Sequence, residues 1–97
     1  MDSGVVLADF SASWCAPCNA LKPQFAKASA DERVVERGVK FVVVDVDKNP
    51  ALSAKYKITS LPTILYLEDG KFDPYSTKHN IVDHPLIAEK IVEMAIQ

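Results

Sequence analysis

The chain has 97 residues, 48% of them apolar and 25% charged, with a formal net charge of -2. That is room for one compact α/β domain, residues 1–97, and not for two. The charge balance leaves no electrostatic footprint for nucleic acid or an anionic membrane, and no apolar run is long enough to span a bilayer.

Met1-Asp2-Ser3-Gly4 lacks the basic start of a secretion signal, and Val5–Ala8 is too short for its apolar core, so a cytoplasmic, reducing setting is expected. Val5-Val6-Leu7-Ala8-Asp9-Phe10 reads as a buried strand. Asp9 is an anomaly inside it. Burial without a partner raises a carboxyl's pKa and makes it a usable acid or base; the bland alternative is a solvated residue at a strand end. Ser11–Trp14 leaves the strand as a loop. A helix opens near Cys15–Pro17, where Pro17 gives up an N–H that a first turn does not need, and runs to about Ala30 with a kink at Pro23.

Asp31–Gly38 reads as a charged connection, with Gly38 a helix stop. Lys40–Val46 is a second strand, apolar enough to be covered on both faces. Asn49-Pro50 caps and starts a short helix to about Tyr56. Thr63–Leu67 is a third strand, and Glu68-Asp69-Gly70-Lys71 turns it into a polar edge strand, Lys71–Thr77, marked as such by Pro74. Pro85 begins a last helix whose Ile87, Ile91, Met94 and Ala95 share a core-facing side. His79 and His84 read as solvated loop residues. The order predicts a mixed sheet: the first two strands parallel through a right-handed crossover, the last two an antiparallel hairpin.

The two cysteines, Cys15 and Cys18, are separated by two residues. A bridge between them closes too small a loop to restrain the unfolded chain much, so reactivity explains the pair better than stapling. A thiolate at a helix start gains from the positive end of the macrodipole and from free N–H groups. Cys18, one turn further in on the same side, is placed to attack Cys15 once Cys15 is bonded to a substrate sulfur. A structural zinc site normally takes four ligands, and His79 and His84 are far along the chain, so no metal site is assigned; a metal bridging two chains stays open as an alternative.

Val5–Cys18, then Pro23, Asp45-Val46-Asp47, Asn49-Pro50, Tyr56, Ile58 and Leu61-Pro62-Thr63 resemble the thioredoxin family in order and spacing, over about Val5 to Lys71. The resemblance implies a thioredoxin-like fold, a mixed four-stranded sheet with helices on both faces, and protein-disulfide reductase activity. It implies that Cys15 is the exposed attacking thiol, Cys18 the buried resolving thiol, and Asp9 the carboxylate that relays protons to Cys18. Pro62 matches a cis-proline facing the dithiol, with Leu61 and Thr63 offering backbone groups to a substrate strand, and Trp14 matches an aromatic on the rim. Ala16-Pro17 stands where reducing members usually have Gly-Pro. The implied partners are protein disulfides and a flavin-dependent thioredoxin reductase, with no cofactor beyond the Cys15–Cys18 couple.

The family usually has a strand and a helix before the position of Val5, where this sequence shows Met1–Gly4, so the fold is expected to be N-terminally shortened. The strand at Lys40–Val46 is then expected to present a bare edge and to favour a homodimer. Val43 occupies a place often held by lysine, and Lys78 or His79 replaces a groove glycine. The alternative functions are a redox variant dedicated to one partner, a non-catalytic binding module on the same scaffold, and an iron–sulfur-bridged dimer.

Overall fold

The computed structural model describes residues 4–69, 71–79 and 85–96, and for 71–79 the backbone. The elements are β1 (Val5–Ser11), α1 (Ala16–Ser29), α2 (Glu32–Arg37), β2 (Lys40–Asp45), α3 (Pro50–Lys55), β3 (Thr63–Glu68), β4 (Lys71–His79) and α4 (Ile87–Ala95). The strands form one sheet in the order β2-β1-β3-β4. β1 is parallel to β2 and β3 is antiparallel to β4, as the sequence predicts, and β1 also pairs with β3, antiparallel.

Strand alternation sends successive β1 side chains to opposite faces. Val5 and Leu7 join Leu21, Phe25 and Ala28 of α1, Val34 of α2, and Ile91, Val92, Met94 and Ala95 of α4 in one cluster. Ala8 and Phe10 join Val44 and Leu65 on the other side, where Tyr56, Ile58 and Leu61 after α3 pack over them. Helices therefore lie on both faces. Leu21, Phe25 and Ala28 recur at helical spacing, and the Phe25 ring meets Phe41 at 4.8 Å between centroids.

Several expectations change. Asp31–Gly38 is not a plain connection but holds α2: the Asp31 carboxylate accepts from Arg33 N–H at 2.9 Å, and Gly38 ends the helix at φ 65. With Val34 as its one buried residue, α2 leaves almost no apolar period to read. Arg33 also donates to Glu89 of α4 at 3.0 Å, tying the two helices. Second, β2 is not covered on both faces: Val42 is 40% and Val43 52% exposed, since among the described residues β2 has β1 as its only strand neighbour. Third, the last helix starts at Ile87, with Pro85 in the turn before it, and His79 ends β4 rather than lying in a loop. Asn49 makes no side-chain cap; its Nδ2 donates to the Asp45 carbonyl at 3.0 Å. Met1–Ser3, Gly70 of the predicted turn and His84 lie outside the described residues.

Candidate active site

The site grows from the C-terminal end of β1. After Ser11 the chain turns through Ala12–Trp14, closed by Cys15 N–H donating to the Ala12 carbonyl at 3.1 Å. Cys15 is the N-cap of α1, and its own Sγ accepts from Cys18 N–H at 3.3 Å. Sulfur thus takes the place that a serine or aspartate oxygen usually fills, and Pro17 adds no unsatisfied donor to this first turn. Cys15 and Cys18 are joined by a disulfide with their Cα atoms 5.3 Å apart. Cys18 is fully buried and Cys15 is 6% exposed. The predicted contrast is smaller than expected: Cys15 is a covered residue that shows only a small part of itself to the groove.

That groove, about 510 Å³, has Trp14, Cys15, Ala16 and Pro17 on one bank and Ser53, Ile58, Thr59, Ser60 and Leu61 on the other, with Val46 between. Its walls are mainly apolar and, among the described residues, carry no charged side chain. Trp14 is 69% exposed, held by its Nε1 donating to Asp47 Oδ2 at 2.8 Å. Leu61 and Val46 also pack on Ala12 and the two cysteines. The Leu61–Pro62 peptide bond is cis. Pro62 and Thr63 are buried behind the groove surface rather than lining it. Thr63 stands in the sheet between Phe10 and His79, and its Oγ1 donates to the Ser60 carbonyl at 2.6 Å.

Asp9 is 0% exposed, and neither carboxyl oxygen has a hydrogen-bond partner among the described residues. It stands opposite Val43 of β2 and Ile64 of β3. It shares with Leu7 the face that α1 covers and lies nearer the strand end from which α1 starts. Desolvation raises its pKa from 3.8 to about 6, and the positive charge of Lys22 on α1 opposes that rise.

The groove therefore gathers Cys15, Trp14, Ala16, Pro17 and Leu61 at its surface, with Cys18, Pro62 and Thr63 buried, while Asp9 is buried in β1 two residues before the strand's end. Sequence reasoning gave no site role to Asp47, Ile58–Ser60, Lys22 or Ser11. Ile58–Ser60 were within reach of it, because any bank ending in Leu61 must start in the residues before it. Asp47 and Lys22 were not, since exposed charges carry no periodic signal. Among the described residues no cluster of three metal-binding side chains occurs and no helix is long and apolar enough to cross a membrane.

The sequence model of the Thioredoxin family matches residues 1–92. The chain belongs to the thioredoxin family. A thioredoxin of Staphylococcus aureus is 39% identical over 71 residues, a match that spans 73% of this chain and 65% of that protein. The chain thus spans about two-thirds of the length of the curated thioredoxins it matches. Among solved structures, the thioredoxin of Malassezia sympodialis superposes with a TM-score of 0.78 at 28% identity, over 97% of this chain and 77% of that one. A variant thioredoxin from Halobacterium salinarum gives 0.75 at 27% identity, over 98% and 77%. The helix-capping cysteine pair and the cis-proline fit a thioredoxin fold, including where helices lie on each face of the sheet.

Proposed function

We propose that this chain is a protein thiol–disulfide oxidoreductase that reduces protein disulfides through Cys15 and Cys18, with residues 1–97 acting as one domain. The observation that carries the reading is the asymmetry of the pair. Cys15 caps α1 and borders an apolar groove, while Cys18 is buried one turn behind it.

In the reduced form the Cys15 thiolate, favoured by the Cys18 N–H and the helix N-terminus, attacks one sulfur of a substrate disulfide. The substrate S–S bond breaks, and one substrate thiolate leaves and takes a proton from water. Cys18 then passes its thiol proton to the Asp9 carboxylate and attacks Cys15 Sγ. The Cys15–substrate bond breaks, the second substrate thiolate leaves and is protonated, and Asp9 returns its proton to solvent. Two electrons pass from the dithiol to the substrate, and Cys15–Cys18 becomes a disulfide. Trp14, Ala16, Pro17 and Leu61 bind the substrate segment, and Pro62 and Thr63 shape the groove from behind.

No cofactor beyond the disulfide takes part. A flavin-dependent thioredoxin reductase restores the dithiol, and the setting is the cytoplasm. Two copies associate through the outer edge of β2, where Val42 and Val43 are exposed.

The test is stoichiometric. Reduced protein is mixed with a disulfide-bearing protein and the substrate thiols are counted. Two substrate thiols per chain, with loss of both chain thiols, is the expected result. No transfer above that of a Cys15→Ser control would refute the reading.

A further inference from the structure

Between Asp47 and Glu68 the sequence carries three lysines, Lys48, Lys55 and Lys57, and no acidic residue. The whole chain has a net charge of -2, so this stretch reverses the sign locally. It contains α3 and, after it, the Ile58 to Leu61 bank of the dithiol groove.

α3 is the ridge between two depressions. Its Ser53 lines the dithiol groove. Its Pro50, Ala51 and Leu52 line a second depression of about 450 Å³, flanked by Lys48 and Lys55. Both lysines and the apolar floor between them are open to solvent. Among the described residues neither ammonium pairs with a carboxylate. Lys55 Nζ stands 5.4 Å from the centre of the Tyr56 ring, a contact that orients the charge without neutralising it. The carboxylates that precede Lys48 are engaged elsewhere. Asp47 accepts from Trp14 Nε1 on the opposite bank, and Asp45 accepts from Asp47 N–H. The dithiol groove has uncharged walls, so a segment seated in it meets a positive field only where it leaves over α3.

We propose that the Lys48–Lys55 depression docks the acidic flank of a disulfide-bearing protein segment. The favoured substrates then carry Asp or Glu near, but not next to, the attacked cysteine. A helix is about 10 Å across and an extended chain advances about 3.3 Å per residue, so the acidic positions lie about three to five residues from that cysteine. Carboxylates of the flank pair with the two ammonium groups, and an apolar side chain rests on Pro50, Ala51 and Leu52. The proposal rests on the reading that Cys15 and Cys18 reduce protein disulfides, and it adds no chemical step to it.

The experiment compares three disulfide-linked peptides that differ only at those flanking positions, filled with Glu, Gln or Lys. Their kcat/KM values are measured with the reduced full chain. At about 0.01 M salt, where charges act over about 30 Å, the order should be Glu above Gln above Lys, with about threefold or more between Glu and Gln. At about 1 M salt, where the range is about 3 Å, the three should converge. The Lys48→Glu, Lys55→Glu double variant should reverse the order. Lys48→Glu alone spares the Lys55–Tyr56 contact, so it reads the preference even if the double variant does not fold, and it should lower the Glu to Gln ratio. Lys27→Glu makes the same charge change near the far end of α1 and should keep the wild-type ratio. Equal rates on the three peptides at low salt overturn the proposal. So does a Lys27→Glu ratio that falls as far as that of Lys48→Glu, since net charge rather than the site is then responsible. Failure of the reductase reading looks different: the Gln peptide is not reduced either, and the docking proposal falls with it.

Discussion

The central strand β1 has neighbours on both sides, and the two differ. β3 is buried over Thr63–Tyr66, while β2 is buried only at Val44. Both are rich in β-branched and apolar residues, so composition does not separate them. What does is the cover each receives: α1, α4 and the loop before Pro62 close over the β1–β3 side, whereas the middle of β2 faces outward. The dithiol, Asp9 and the cis-proline all depend on the covered side. The chemistry therefore stands apart from the state of the β2 edge, and the two regions can be perturbed separately.

The largest expected effect is on the covered side and is all-or-none. Cys18→Ser, lacking the resolving sulfur, should accumulate mixed disulfides with a disulfide-bearing protein, while Cys15→Ser should accumulate almost none. Non-reducing electrophoresis reads both, and equal trapping by the two variants breaks the assigned asymmetry.

Packing sharpens the comparison next. Ile64 is 0% exposed and Val43 52%. Ile64→Ala should lose roughly 2–5 kcal/mol of unfolding free energy by urea denaturation, and Val43→Ala about 0.5 kcal/mol or less. Similar losses would mean that β2 is covered in solution.

Asp9 comes third. Its folded pKa of about 6 lies above the value of 3.8 for an unperturbed aspartate. The unfolded chain therefore releases this proton first as pH rises, so stability is full below about pH 4, falls through the window up to about 6, and is lowest above it. The full difference is about 3 kcal/mol, an upper figure for the burden of an ionised, desolvated Asp9. Asp9→Asn should flatten that window in denaturation curves and be more stable than the wild type at pH 7, yet exchange disulfides more slowly.

The smallest effect belongs to the edge. Replacing Val42 with lysine puts a charge on an exposed strand and should weaken self-association without altering disulfide exchange. Sedimentation over a concentration range measures it; a wild-type protein that stays monomeric at high concentration removes the dimer.

The covered side was the more legible in the sequence, for a physical reason. Each of its features forces a residue type: a proline in the first helical turn, a sulfur at a cap, an aspartate within an apolar run, a proline before the third strand. Asp9, Cys15 and Cys18 could thus be singled out from the residues and Pro62 from the family resemblance, and the parallel first pair and antiparallel last pair of strands followed from the spacing of apolar runs. α2 was not legible, because its caps, Asp31 and Gly38, also suit a loop and a single inward residue makes no period. The exposure of Val42 and Val43 was half legible: a bare edge was expected, but the continuous apolar run read as a strand covered on both faces. The modest exposure of Cys15 was hidden because Leu61 and Val46, which cover it, come from distant segments.

Strand order also bears on how the chain is made. β1 lies centrally, yet Val5 finds its β3 partner only at Glu68 and Phe10 only at Thr63. During synthesis from the N-terminus, the most apolar strand of the sheet must wait until most of the chain has emerged, and such long-range pairing is slow. An unsatisfied run of Val5, Val6, Leu7, Ala8 and Phe10 is the kind of segment that sticks to other chains. Asp9 interrupts it. In the unfolded chain that carboxyl is ionised at neutral pH, so it puts a charge in the middle of the run and acts as a gatekeeper against aggregation. The residue that burdens the finished fold thus protects the nascent one.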